Sequence, residues 1–161
     1  MIVLIMGVTG AGKTTVGTLL AAQLGWVFAD ADSFHPPANV EKMRQAIPLT
    51  DADRVPWLEA IHQQMVQWKA ANTNGVITCS ALKQSYRERL LRGLAVKLVY
   101  LKGSYALIAG RVSHRVGHFA PAQLVASQFQ DLEEPEDVLV VEVDQSPEEI
   151  VAEIRRRLAI A

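Results

Sequence analysis

The run Gly7-Val8-Thr9-Gly10-Ala11-Gly12-Lys13-Thr14 spells GxxxxGK(S/T), and those residue types at that spacing suit the phosphates of a nucleoside triphosphate. Glycines let the backbone curl until successive N–H groups face phosphate oxygens, at the positive end of the helix that follows. In that arrangement Lys13 reaches the β- and γ-phosphates, the Thr14 hydroxyl takes Mg²⁺, and Thr15 caps the α-phosphate. The residue three after Gly12 is Thr15, which excludes a dinucleotide fingerprint.

A phosphate loop alone does not separate a switch GTPase, a motor and a small-molecule kinase, so the carboxylates decide. The chain contains neither NKxD nor DxxG, and guanine recognition therefore has no visible residues. Ile77-Thr78-Cys79-Ser80 ends uncharged where a metal-orienting aspartate is expected. Phe28-Ala29-Asp30-Ala31-Asp32 ends instead in two carboxylates two residues apart, at the carboxyl end of a strand where ligands bind. One suits the metal and its waters; the other suits an attacking hydroxyl, as a base aspartate does in phosphoryl transfer. The competing reading makes both of them solvated turn residues that cap a helix. Asp144 also ends an apolar strand, but a helix cap follows it at once.

The elements that must position these groups are legible as periodicity. Apolar runs at 2–6, 26–29, 76–80, 96–101 and 138–143 read as strands, each separated by helix-like sequence. Runs such as Val138-Leu139-Val140-Val141 lack polar alternation, as in strands covered on both faces. The expected architecture is a three-layer α/β/α sandwich on a five-stranded parallel sheet, folded as one domain over residues 1–161. Val16, Leu19, Leu20 and Leu24 give the helix after the phosphate loop an apolar face; Leu58, Ile61, Met65 and Trp68 predict another over about 56–70. Ser146-Pro147-Glu148-Glu149 is a helix start with a capping box.

Composition narrows the partners. The 161 residues are 50% apolar with a net charge of -1, which removes the electrostatic case for nucleic acid or an anionic membrane. The lone Cys79 forms no internal disulfide, and the apolar start is too short for a signal-peptide core, so the expected compartment is the cytoplasm.

Two further segments look built for a second substrate: His35 to Met43, and Pro48 to Trp57. Their motifs HPxxNxxKM and PLxDxDRxPWL, followed by CSALKxxYRxxL and RxGHF, resemble the gluconate kinase family of P-loop kinases over residues 5 to about 144. The resemblance implies transfer of a phosphoryl group from MgATP to the C6 hydroxyl of D-gluconate, a fold like that of shikimate and nucleoside monophosphate kinases, and a homodimer. It keeps Lys13 and Thr14 on phosphate and metal and puts Asp30 and Asp32 at the acceptor, with Asp32 the expected base and Asp30 the expected partner of Thr14 at the metal. His35, Arg54, Lys83 and Arg87 fall in the substrate motifs; Lys83 and Arg87 lie one helical turn apart and are expected to face the same pocket. Tyr86 is expected to pack rather than bind. Residues 111–122 correspond to a mobile lid, with Arg115 stabilising the transition state, Arg111 at the nucleotide, and His118 as substrate contact or lid anchor. Asp144 to Pro147 is expected beside the adenine. Ala31 departs from the family's common DGD, and residues 133–137 look shortened. A kinase for another hydroxylated substrate such as shikimate, and an ATP-gated binding module, remain the alternatives.

Overall fold

The computed structural model describes residues 1–114 and 121–161. Five strands, β1 (Ile2–Met6), β2 (Val27–Asp30), β3 (Gly75–Thr78), β4 (Val96–Lys102) and β5 (Leu139–Glu142), form one all-parallel sheet in the order β2-β3-β1-β4-β5. Position in that order sets burial. The central β1 is buried at all five residues, whereas the edge strands β2 and β5 are largely half-buried.

Alternate side chains of each strand serve two cores. Val3, Ile5 and Val76 meet Val16 and Leu20 of α1 (Lys13–Leu24), Ile108 of α5 (Tyr105–Ser113), Val125 of α6 (Pro121–Asp131), and Ile150 and Ile154 of α7 (Pro147–Arg157). Leu4, Met6 and Ile77 meet Leu58, Ile61 and Met65 of α3 (Asp51–Ala70) and Leu90 of α4 (Gln84–Leu91) on the other face. The expected three layers are present, and Trp68 packs against the second core, over Gly75.

The structure moves one boundary. Helix α3 starts at Asp51 rather than near 56, with Pro56 inside it. Thr50 and Asp53 form a capping box, with the Thr50 Oγ1 accepting from the Asp53 amide at 3.0 Å and the Asp53 carboxylate accepting from the Thr50 amide at 2.9 Å. That cap satisfies the first turn, so the proline costs only the bond its missing N–H would make to residue 52. A short helix, α2 (Pro37–Arg44), precedes it. Among the described residues no helix is long and apolar enough to cross a membrane.

Candidate active site

A crevice opens where the chain leaves neighbouring strands toward opposite faces. From β1 the chain runs into α1 on one face of the sheet, and from the adjacent β3 into α4 on the other. The phosphate loop lines this crevice. Gly12 caps α1 with φ +95°, a left-handed conformation that side chains rarely adopt. Gly10 has φ +81°, and a Cβ there would fall 2.5 Å from Val112 Cγ2 of α5. Two groups on the loop meet protein oxygens: Lys13 Nζ donates to the Val8 carbonyl at 3.1 Å, and the Thr9 amide to Gln128 Oε1 of α6 at 2.6 Å.

Beside the loop, the last residue of β2 is Asp30, and Asp32 lies in the 3₁₀ turn Ala31–Phe34 that follows. Asp30 acts as a bridge: its Oδ2 accepts from Thr14 Oγ1 at 3.0 Å and its Oδ1 from the Asp32 amide at 3.0 Å. A hydroxyl and a carboxylate in contact suit a hard divalent cation that keeps most of its ligands from phosphate and water. Among the described residues there is no cluster of three His, Cys, Asp or Glu side chains that would form an all-protein cage. Burial, and next the Asp30 charge, raise the Asp32 carboxyl above its ordinary 3.8; Lys13 and His35 pull the other way. Asp32 keeps an exposed surface, so the group is open to a ligand while its carboxylate is only partly solvated.

The two segments expected to form a substrate site do meet. The His35 ring stacks on Trp57 with centroids 4.4 Å apart and planes 9° from parallel, and Trp57 Nε1 donates to the Ala31 carbonyl at 2.7 Å. Ala31 is itself buried, so the residue that departs from DGD sits under this aromatic pair. Asn39 Nδ2 donates to the Asp53 carbonyl at 2.8 Å, and Lys42 Nζ to its carboxylate at 2.8 Å. The Lys42 bond, and next the Thr50 amide, hold the Asp53 carboxyl down at about 2. Asn39, Lys42 and Asp53 thus lock α2 to the start of α3. Burial lowers the His35 pKa below 6.5, which keeps the ring neutral at pH 7, despite Asp32.

At the start of α3, three groups gather on one exposed carboxylate. Asp51 Oδ1 takes the Tyr86 hydroxyl at 2.5 Å, Lys83 Nζ at 3.2 Å and Arg54 Nη1 at 3.9 Å. Lys83 and Arg54 also lie 5.5 and 5.7 Å from the Tyr86 ring centre. Neither Asp51 nor Tyr86 is among the site residues expected from the sequence. Asp51 belongs to the PLxDxDR motif, and that signal was sufficient to find it.

Arg87 departs from expectation. Lys83 caps α4, but Arg87 is 4% exposed and turns into the body of the protein. Its guanidinium donates to the carbonyls of Ala81, Leu82 and Glu133 at 2.7, 3.1 and 2.7 Å, and to Gln84 Oε1 at 3.2 Å. The two do not share a pocket, because the buried Arg87 spends its guanidinium on these protein oxygens. Arg115 and His118 lie outside the described residues. Arg111 lines a cavity of about 180 Å³ with Gly12, Thr15, Gln145 and Pro147, next to the start of α1. A larger hollow of about 410 Å³, between α4 and residues 135–138, holds no residue of the phosphate loop.

A phosphate loop at a parallel-sheet crevice, two carboxylates at the next strand end and a cationic second site define the class: a P-loop small-molecule kinase. The shikimate kinase family model matches residues 9–159. The chain is 48% identical to the gluconokinase of Gluconobacter oxydans (strain 621H), over 94% of this chain and 88% of that one. In three dimensions it resembles a sugar kinase from Janibacter (43% identity, 99% and 95% of the two chains, TM-score 0.90) and a gluconokinase from Sinorhizobium meliloti (41%, 98% and 90%, TM-score 0.86). The chain belongs to the gluconokinase family within the shikimate kinase-like enzymes.

Proposed function

We propose that this kinase transfers the γ-phosphoryl group of ATP to the C6 hydroxyl of D-gluconate. The family membership and the crevice support that reading together. Lys13 and the loop amides hold the β- and γ-phosphates, with Thr15 at the α-phosphate. Thr14 and Asp30 would hold Mg²⁺, which would supply neutralisation of the phosphate charge. Asp32 accepts the proton of the attacking hydroxyl; its pKa, raised by burial and by the Asp30 charge, makes it a better base than an ordinary aspartate.

The substrate carboxylate pairs with Arg54 and Lys83, and the neutral His35, fixed by Trp57, offers a hydrogen bond to a sugar hydroxyl. Arg87 acts through the loop that carries Lys83, as a positioning residue. Arg115 supplies charge stabilisation to the transferring group and His118 a substrate contact, both from the segment between α5 and α6.

One observation carries the reading: Asp30 joins the metal side of the site, through Thr14, to the substrate side, through the Asp32 amide. The test is ADP release with MgATP and D-gluconate, glucose, shikimate or AMP. Turnover is expected with gluconate alone, and Asp32→Asn is expected to cut kcat by about 10²- to 10⁴-fold with ATP binding retained. Turnover with shikimate or AMP in place of gluconate would discard the substrate assignment, and near-normal kcat in Asp32→Asn would discard the base.

A further inference from the structure

Besides residues of the phosphate loop and the first turn of α1, the cavity next to the start of α1 is lined by Arg111, Gln145, Pro147 and Ile150. Pro147 and Ile150 bring carbon surface. Arg111, which donates through Nη2 to the Val143 carbonyl at 2.5 Å, has only donors to offer. Gln145 is the one side chain of the four with both a donor and an acceptor group, so its orientation decides what a base edge meets.

That orientation is fixed by chemistry. Gln145 Nε2 donates to the Glu142 carbonyl at 2.9 Å and to the Glu153 carboxylate at 3.2 Å. Both partners accept only, so the amide cannot be turned round without facing oxygen to oxygen twice. Glu153 is held in turn by Arg157 at 3.0 Å. Both amide hydrogens are spent, and among the described residues nothing donates to Gln145 Oε1. The amide therefore presents a hydrogen-bond acceptor and no donor. Adenine carries a donor at its 6-amino group, whereas guanine and hypoxanthine carry an acceptor oxygen there.

We propose that Gln145 selects a 6-amino purine nucleotide in this kinase, its side-chain oxygen accepting from the 6-amino group and opposing a 6-oxo base. The assignment rests on the proposed ATP site, which shares Gly12 and Thr15 with this cavity, and deepens it. The carbon surface of Pro147 and Ile150 accepts any purine, and Arg111 Nη2 is committed to the Val143 carbonyl, so the discrimination falls on this one oxygen. A Gln that only braced α7 would show the same two donated bonds, but it would weaken every triphosphate alike when replaced.

Calorimetric binding of the magnesium complexes of ATP, purine riboside triphosphate (no 6-substituent) and inosine triphosphate to the full chain, without gluconate, separates the two. The wild type is expected to bind ATP about tenfold more tightly than purine riboside triphosphate, and inosine triphosphate more weakly still. In Gln145→Met the first ratio is expected to fall to within about twofold, because ATP loses a bond the other nucleotide never made. Gln145→Leu repeats the measurement if the methionine variant does not fold. Survival of the wild-type ratio in a folded variant overturns the role of Gln145. If the wild type binds none of the three, the nucleotide reading of the cavity falls and this assignment with it.

Discussion

The Tyr86 hydroxyl donates to Asp51 at 2.5 Å and accepts from Arg54 at 3.2 Å, so one oxygen holds an anion and a cation in register. Its ring lies beside Lys83 and Arg54, within the range where a cation is attracted to an aromatic face. The residue is 7% exposed and packs in the core, as its place in the sequence suggests, yet its hydroxyl reaches the crevice. In Tyr86→Phe the packing stays, and Arg54 keeps only its 3.9 Å approach to Asp51. Loss of one hydrogen bond of about 1 kcal/mol predicts a roughly fivefold rise in KM for gluconate, with kcat and KM for ATP little changed. Steady-state kinetics with each substrate varied would read this directly, and a fall in kcat alone would remove Tyr86 from substrate positioning. The reactive residues were legible because phosphate and metal chemistry permits few types: glycines, Lys13, Thr14 and paired aspartates. Tyr86 was not, since an aromatic one turn inside a helix reads as core whichever way its polar end points.

Elements were legible where a period or cap is written locally, and less so where a partner decides. Strand β1, α1 and the start of α7 fall where apolar runs and the Ser146 cap put them. The start of α3 does not, because a proline at 56 resembles a first-turn residue and the capping box at Thr50 and Asp53 gains its anchor, Lys42, from a different helix. Arg87 makes the same point for α4. One-turn spacing puts Lys83 and Arg87 near one another, but it does not show that Glu133 N–H binds the Leu82 carbonyl and draws residues 132–134 across the helix start. Arg87, itself buried, then donates to the carbonyls of Ala81, Leu82 and Glu133. Arg87→Met removes those donors while keeping an unbranched apolar stem and is predicted to cost about 2–4 kcal/mol, a drop in Tm of several degrees. Thermal melts with and without gluconate check it. An unshifted Tm with a raised KM for gluconate would instead return Arg87 to the substrate pocket.

Across the whole molecule, the carboxylates divide into two groups with opposite effects on folding. Asp53, Asp51 and Glu153 titrate below their ordinary values because hydrogen bonds favour the ionised form, those from Lys42, Tyr86 and Gln145 being the largest. Each contributes stability that is present above its unfolded pKa and is lost as pH falls through the folded one; for Asp53 that window runs from 3.8 to about 2. Asp32 has the reverse sign. Its folded pKa is raised by burial and by Asp30, so above that pKa the folded chain holds a charge that the unfolded chain solvates better. The sheet order produces this conflict, since β2 ends in Asp30 beside the phosphate loop and the turn after it brings Asp32 toward the same crevice. Asp32→Asn should therefore raise Tm at pH 7 while turnover collapses. The gap between variant and wild type should close below about pH 3.8, where Asp32 is protonated in both states. Thermal melts of both proteins from pH 3 to 8 test the sign: an equal or lower Tm for Asp32→Asn at neutral pH would mean that Asp32 is held by favourable contacts and does not carry the cost expected of a poised base.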